Sequence, residues 1–241
     1  KKRAEVLNAL IPPSNEEVRN FTYRAQYEGY QHIEGVKKGS SAETYFKIRA
    51  FLSSPKFAGV PVILESGKRI DKQVKEIEIT FKARDQYKNK IIFSLEPREA
   101  ITIEFWSKKP GLEFEMEKRT MDFLFREAKE GTQYIEEYEK LLLDAIVGDQ
   151  TLFISTQEMM AMWKFIDPII KEWKKNAVPL KTYAPDSEQA ISDSLFINNA
   201  GSVTTVAIKK EIVFVGLGKM GANLAKQLAL KGWEVSGFDS S

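Results

Sequence analysis

Seven short segments in the first half of the chain repeat with a period of two, and no other feature narrows the possible folds as much. Side chains on an extended strand alternate between two faces, so apolar residues at every second position mark one face for burial. Phe21 to Glu28 sets Phe21, Tyr23, Ala25 and Tyr27 on one side, with Thr22, Arg24 and Gln26 on the other. Tyr45 to Leu52 opposes Phe46, Ile48, Ala50 and Leu52 to Lys47 and Arg49. Val60 to Leu64, Glu76 to Lys82, Lys90 to Leu95, Ala100 to Trp106 and Met121 to Phe125 continue the series. Strands that follow one another without intervening helices predict antiparallel pairing.

Two helices are predicted next. Tyr138, Leu141, Leu142 and Ala145 recur at helical spacing between Tyr134 and Val147, before a stop at Gly148. A second helix starts near a capping Thr156 and carries an apolar stripe of Met162, Trp163, Ile166, Ile169, Ile170 and Trp173. Pro168 lies within it and is expected to bend or interrupt it, because proline lacks the amide hydrogen and crowds the preceding turn. The cluster of Met159, Met160, Met162 and Trp163 reads as helical core packing. From Pro185 to Lys209 small polar residues dominate, which predicts a linker at 186–209, with Ser187 to Phe196 able to hold a short helix.

After Lys210 the pattern changes. The apolar run Ile212 to Val215 leads straight into GLGKMG, a helical stretch packed through Leu224, Leu228 and Leu230, and a second strand, Trp233 to Phe238. This context turns a glycine pattern into a dinucleotide-binding βαβ unit. Gly216 permits the tight turn, Gly218 lets the backbone approach a pyrophosphate, and Gly221 lets the helix press on the strand. With Lys219 and Met220 they form a loop whose amides and helix dipole would hold the anion. Asp239, about 23 residues beyond Gly216, would accept hydrogen bonds from the ribose hydroxyls, which favours NAD.

Composition limits function. The 36 basic and 34 acidic residues leave a formal charge of +2, unlike a nucleic-acid footprint, which needs clustered excess positive charge. Cysteine is absent, which removes thiolate metal sites and cysteine nucleophiles and makes a cytoplasmic setting the expectation. No run approaches the ~20 apolar residues that span a bilayer, so neither a nucleic-acid nor a membrane partner is expected. His32, the only histidine, reads as a solvated loop residue, since a base needs an orienting partner. Asp144 and Asp149 read as groups at a helix end rather than metal ligands. Glu113, Glu115 and Glu117 read as the wet face of a strand.

GVPVILESGKRI (Gly59 to Ile70), EIEITFK (Glu76 to Lys82), KKPG (Lys108 to Gly111), YEKLLLDAIVGDQTLF (Tyr138 to Phe153), MWKFIDPIIKEW and RAQYEGY closely resemble the carboxy-terminal domain of glucose-6-phosphate dehydrogenases, in matching order over residues 2–183. KKEIVFVGLGKMGANLAKQLALKGWEVSGFDSS resembles the amino-terminal, NAD(P)-binding start of 6-phosphogluconate dehydrogenases. The resemblance implies an α+β fold: a large, mainly antiparallel sheet with helices in residues 1–185, which helps form a homodimer, then the linker and an incomplete Rossmann βαβ unit at 210–241. It implies an oxidoreductase of the oxidative pentose phosphate pathway, which passes a hydride from glucose 6-phosphate to NADP, with the coenzyme site and histidine base upstream of this chain. No catalytic residue is therefore expected here, and the isolated chain should be inactive.

Lys68 of SGKR matches a family lysine that contacts the sugar phosphate. The second basic residue that the family carries five positions later is Gln73 here, so either Lys72 takes that place or one charge is missing. In the glycine-rich unit, Asp239-Ser240-Ser241 departs from the Asn-Arg-Ser/Thr pattern of NADP-type members and leaves NAD and NADP both open. Two other readings remain, a non-catalytic dimerisation module and an NAD-sensing module.

Overall fold

A computed structural model describes residues 2–83, 86–125, 137–199, 211–215, 223, 226–227, 229–230 and 234–238. All seven predicted strands form, in two separate four-stranded sheets. The first contains β1 (Thr22–Tyr27), β2 (Tyr45–Ala50), β3 (Val62–Gly67) and β8 (Lys181–Tyr183) in the order β3-β2-β1-β8. The pairs β1–β2 and β2–β3 are antiparallel, whereas β8 joins β1 in parallel, with Ala25 opposite Lys181. The second runs β4 (Lys75–Thr80), β5 (Lys90–Glu96), β6 (Ala100–Lys108) and β7 (Met116–Leu124) in chain order, every pair antiparallel.

Strand β1, one of the two inner strands of the first sheet, is covered on both faces, so its polar alternation does not face water. On one face Val18, Ile48, Ala50, Phe165, Ile169, Trp173 and Val178 form a core with α2 (Asn15–Phe21) and α4 (Thr156–Lys174). On the other, Tyr23, Ala25, Tyr45 and Tyr183 pack against Ala190 and Ile197 of α5 (Gln189–Asp193) and α6 (Phe196–Asn199). Arg24 is consequently buried, and a buried charge requires partners. Its guanidinium donates to the carbonyls of Val178 at 2.9 Å and Trp173 at 2.8 Å, and to Asn176 Oδ1 at 3.2 Å.

Residues 189–199, which composition reads as linker, are therefore part of the packed unit. Ala190, Ser194 and Ile197 have no exposed surface. They recur three and four positions apart across α5, the turn after it and α6, so one side of this segment enters the core while polar neighbours dominate the average.

Helix α4 starts at Thr156, but its cap is Ser155 rather than Thr156: the Ser155 hydroxyl accepts from the Glu158 amide at 3.3 Å, and Glu158 accepts from the Ser155 amide at 2.7 Å. This reciprocal pair satisfies two donors that the first turn would otherwise leave unmet. The helix runs unbroken past Pro168 to Lys174. Proline forfeits one hydrogen bond, but Ala161, Phe165, Ile169 and Trp173 are buried at four-residue intervals on both sides of it, and that seam holds the helix together. Met159, Met160, Met162 and Trp163 lie off the seam and are exposed, contrary to the core reading. Helices α1 (Lys2–Asn8) and α2 pack on α4. In α3 (Glu137–Val147), Tyr138 and Leu142 of the predicted stripe are exposed and Asp144 is the buried residue.

The second sheet has one apolar face and one charged face. Register places Ile77, Ile91, Ile103 and Phe123 among the residues of the first; Ile77 and Phe123 remain about half exposed, at 56% and 50%. The reverse face pairs Lys90 with Glu78 and Lys118 with Glu104, each at 2.9 Å. Glu113 and Glu115 precede β7, so only Glu117 of the three predicted strand carboxylates belongs to it. Beyond the first unit, β9 (Glu211–Val215) and β10 (Glu234–Phe238) form a parallel pair, with Glu211 opposite Glu234 and Val215 opposite Phe238.

Candidate functional site

At one end of the first sheet, β3 finishes at Gly67, opposite Tyr45. A Cβ at residue 67 would stand 2.6 Å from Tyr45 Cδ2, so only glycine lets this strand end lie against the buried ring. The chain then turns over the sheet end through Lys68 and Arg69 towards the segment after β8. The Lys68 amide donates to the Thr44 carbonyl at 2.8 Å, and the Tyr183 hydroxyl donates to the Lys68 carbonyl. The backbone of Lys68 is thus pinned, while its side chain is exposed and its ammonium has no partner among the described residues.

The neighbouring cations differ. Arg69 Nε donates to Asp186 Oδ1 at 2.7 Å, a second guanidinium nitrogen reaches Oδ2, and the guanidinium sits 5.9 Å from the Tyr27 ring centroid. This pairing raises the arginine pKa and lowers that of the carboxyl, in both cases chiefly through the hydrogen bond between them. Lys72 Nζ lies 3.5 Å from Glu188 Oε1 and 4.0 Å from Asp71 Oδ2. Of the two lysines singled out from sequence, one carries an unpaired charge among the described residues and the other is already compensated.

Under the turn lies a buried polar network. Tyr45 donates to Glu65 Oε1 at 2.6 Å and meets Ser194 Oγ at 2.8 Å, and Lys47 pairs with Glu65 Oε2 at 3.0 Å. Burial first, then the Glu65 bond, holds the Tyr45 hydroxyl far above the ordinary tyrosine value, and burial pushes Tyr23 up to about 12. Both phenols stay neutral; the Tyr45 hydroxyl braces the sheet end, whereas the buried Tyr23 hydroxyl has no hydrogen-bond partner among the described residues. His32 ends a short helical turn, Tyr30–His32, and is exposed. Asp144 pairs with Lys140, and Asp149 accepts from the Thr151 amide at 2.9 Å.

Gly216, Gly218, Lys219, Met220, Gly221 and Asp239 lie outside the described residues; in sequence the first five fall between β9 and β10, and Asp239 follows β10. A cleft of about 360 Å³ between α1 and α4 is lined by Asn8, Gln157, Met160, Ala161 and Lys164, and shares no residue with the Lys68 turn. Sequence reading missed Arg69, Asp186 and Glu188. Arg69 and Asp186 are 117 positions apart, and no local pattern joins them.

Residues 1–203 match the family described as glucose-6-phosphate dehydrogenase, C-terminal domain, and residues 211–241 match the NAD binding domain of 6-phosphogluconate dehydrogenase. The glucose-6-phosphate 1-dehydrogenase of Borreliella burgdorferi is 33% identical over 192 residues, which take in 71% of this chain and 40% of that protein. The Aggregatibacter actinomycetemcomitans enzyme is 36% identical over 184 residues, 69% of this chain and 37% of its own length. A glucose-6-phosphate dehydrogenase solved with its substrate glucose 6-phosphate superposes with a TM-score of 0.68 at 26% identity, covering 82% of this chain and 43% of that one. The Mycobacterium avium structure, at 23% identity and a TM-score of 0.63, shares the fold over 78% of this chain and 41% of its own. The chain thus spans less than half the length of these relatives.

Proposed function

The chain belongs to the glucose-6-phosphate dehydrogenase C-terminal domain family, and we propose that it forms the substrate-phosphate and subunit-contact part of such an enzyme. The Lys68 ammonium, unpaired among the described residues and set on its pinned turn, carries this reading. A fixed ammonium whose charge no described carboxylate neutralises suits a phosphate monoester. Held there, the phosphate would orient the sugar so that its C1 hydroxyl meets groups outside this chain; binding at a remote point contributes to rate through orientation. The nicotinamide, NADP in this reading, accepts the hydride when bound, and the product is 6-phosphogluconolactone. Lys72, paired with Glu188, serves as an outer neighbour of the site rather than a second ligand.

The apolar face of the second sheet is read as the contact between two subunits, since exposed apolar patches of this kind mark interaction surfaces. That face also favours the second reading, a module whose task is assembly rather than catalysis. The first unit is proposed to run through Asn199, with a linker before β9. Gly216, Gly218, Lys219, Met220, Gly221 and Asp239 would hold NAD or NADP at the start of a second dehydrogenase, in a cytoplasmic protein.

The test is reconstitution with the amino-terminal half of a relative, following glucose 6-phosphate-dependent NADP reduction. Lys68→Ala should raise KM by a factor corresponding to about 1.5–3 kcal/mol, the range for a charged hydrogen bond. An unchanged KM would remove Lys68 from the site. Turnover by the 241-residue chain alone would refute the placement of the base upstream.

A further inference from the structure

An exposed lysine on a turn is held only as still as the backbone beneath it. Around Lys68 that backbone is tied to a segment far along the chain by several unlike contacts. Arg69 and Asp186 join side chain to side chain through a two-toothed fork, and main chain to main chain through the Asp186 amide and the Arg69 carbonyl at 2.6 Å. Ile70 and Ser187 form a parallel bridge next to them. Both clasped residues are left-handed, with φ of +53° at Arg69 and +58° at Asp186. Non-glycine residues keep that conformation when their surroundings hold them in it, and here each is held by the other.

We propose that the Arg69–Asp186 pair, backed by Lys72–Glu188, is a clamp that orders the turn presenting Lys68, with Asp186 and Glu188 acting as positioning residues of the phosphate site. This rests on the reading of Lys68 as phosphate ligand and adds to it a division of labour among three neighbouring cations, Lys68, Arg69 and Lys72. Arg69 and Lys72 are neutralised by the carboxylates that fasten them. Lys68 keeps its charge uncompensated among the described residues, so the turn offers a single phosphate monoester one cation. A lone exposed ion pair contributes little. A bidentate pair doubled by a main-chain bond and a bridge is geometrically specific.

The ¹⁵N-labelled 241-residue chain tests this in two ways: hydrogen exchange at the amides of residues 68 and 186, and the Kd for glucose 6-phosphate from amide shifts at residues 66–70. Asp186→Asn keeps the left-handed tolerance and removes the charge and one of the two acceptor oxygens of the fork. It should speed exchange at both amides about three- to fivefold and raise Kd about two- to fivefold through lost preorganisation. Arg69→Lys, which keeps the charge and loses the fork, should act in the same direction. The reversed pair, Arg69→Asp with Asp186→Arg, should recover most of both effects. Lys68→Gln should weaken binding about tenfold or more and leave exchange unchanged. Wild-type exchange rates in Asp186→Asn would overturn the clamp; faster exchange with an unaltered Kd would overturn its positioning role. If glucose 6-phosphate shifts nothing in the wild-type chain, the phosphate reading falls, and the exchange rates alone decide whether the pair orders the turn.

Discussion

Replacing Arg24 by methionine tests the packing of the first sheet most sharply, because it keeps an unbranched apolar stem and removes the guanidinium. Arg24 is 4% exposed, and its guanidinium bonds to two backbone carbonyls and to Asn176. It also lies 5.8 Å from the Trp173 ring centroid. Burial lowers its pKa, a sign that keeping the charge inside is itself costly. Hydrogen bonds to a charged donor contribute about 1.5–3 kcal/mol each, and an unsatisfied buried carbonyl costs about 1–3 kcal/mol. The Trp173 carbonyl still accepts from the Asn176 amide at 2.9 Å after the change, so the main loss falls on the Val178 carbonyl. Relief from burying the charge offsets part of it. The net expectation for Arg24→Met is about 2–4 kcal/mol, read as a lower urea midpoint at constant m. Arg24→Lys should fall between, since one ammonium cannot reproduce the fork. A loss under about 1 kcal/mol for Arg24→Met would refute the view that this residue fastens β1 to the end of α4.

Gly67→Ala should destabilise by about 1–3 kcal/mol in thermal unfolding, as overpacking does, because Tyr45 is fully buried and cannot yield; a neutral result would mean that the strand end shifts freely. The Ser155 amide first, and Arg3 after it, hold the Glu158 carboxyl below its ordinary range. A depressed carboxyl stabilises fully above its unfolded value of about 4.3, and the contribution fades as pH falls through the lower folded value. The Tm gap between wild type and Glu158→Gln should therefore be widest near neutral pH and close in acid; a gap independent of pH would refute the assignment.

The strands were legible because each carries its own alternation, and all seven formed. Burial was harder to read. The pattern of β1 says which residues share a face but not that both faces are covered, since the second cover comes from residues 189–199, whose mean polarity hides three core positions. Met159, Met160 and Trp163 misled in the opposite sense: apolar type suggested a core, yet the α4 seam follows Ala161, Phe165, Ile169 and Trp173. Ser155 was overlooked beside Thr156 because either hydroxyl could cap, and only Glu158, three residues beyond Ser155, separates them. Lys68 stands out in the sequence through the motif around it. The Arg69–Asp186 pair beside it does not, because those two residues, 117 positions apart, are adjacent only in three dimensions.

The parallel pairing of β1 with β8 affects how the molecule is made. Arg24 and Val178, which meet beside that pairing, are 154 positions apart, and contacts of such separation form slowly because a long loop must close first. On the ribosome, β1 would leave the tunnel well before β8, α5 and α6, and would wait with one apolar side open until they arrived. Aggregation during synthesis, rather than weakness of the finished structure, is the hazard this topology creates.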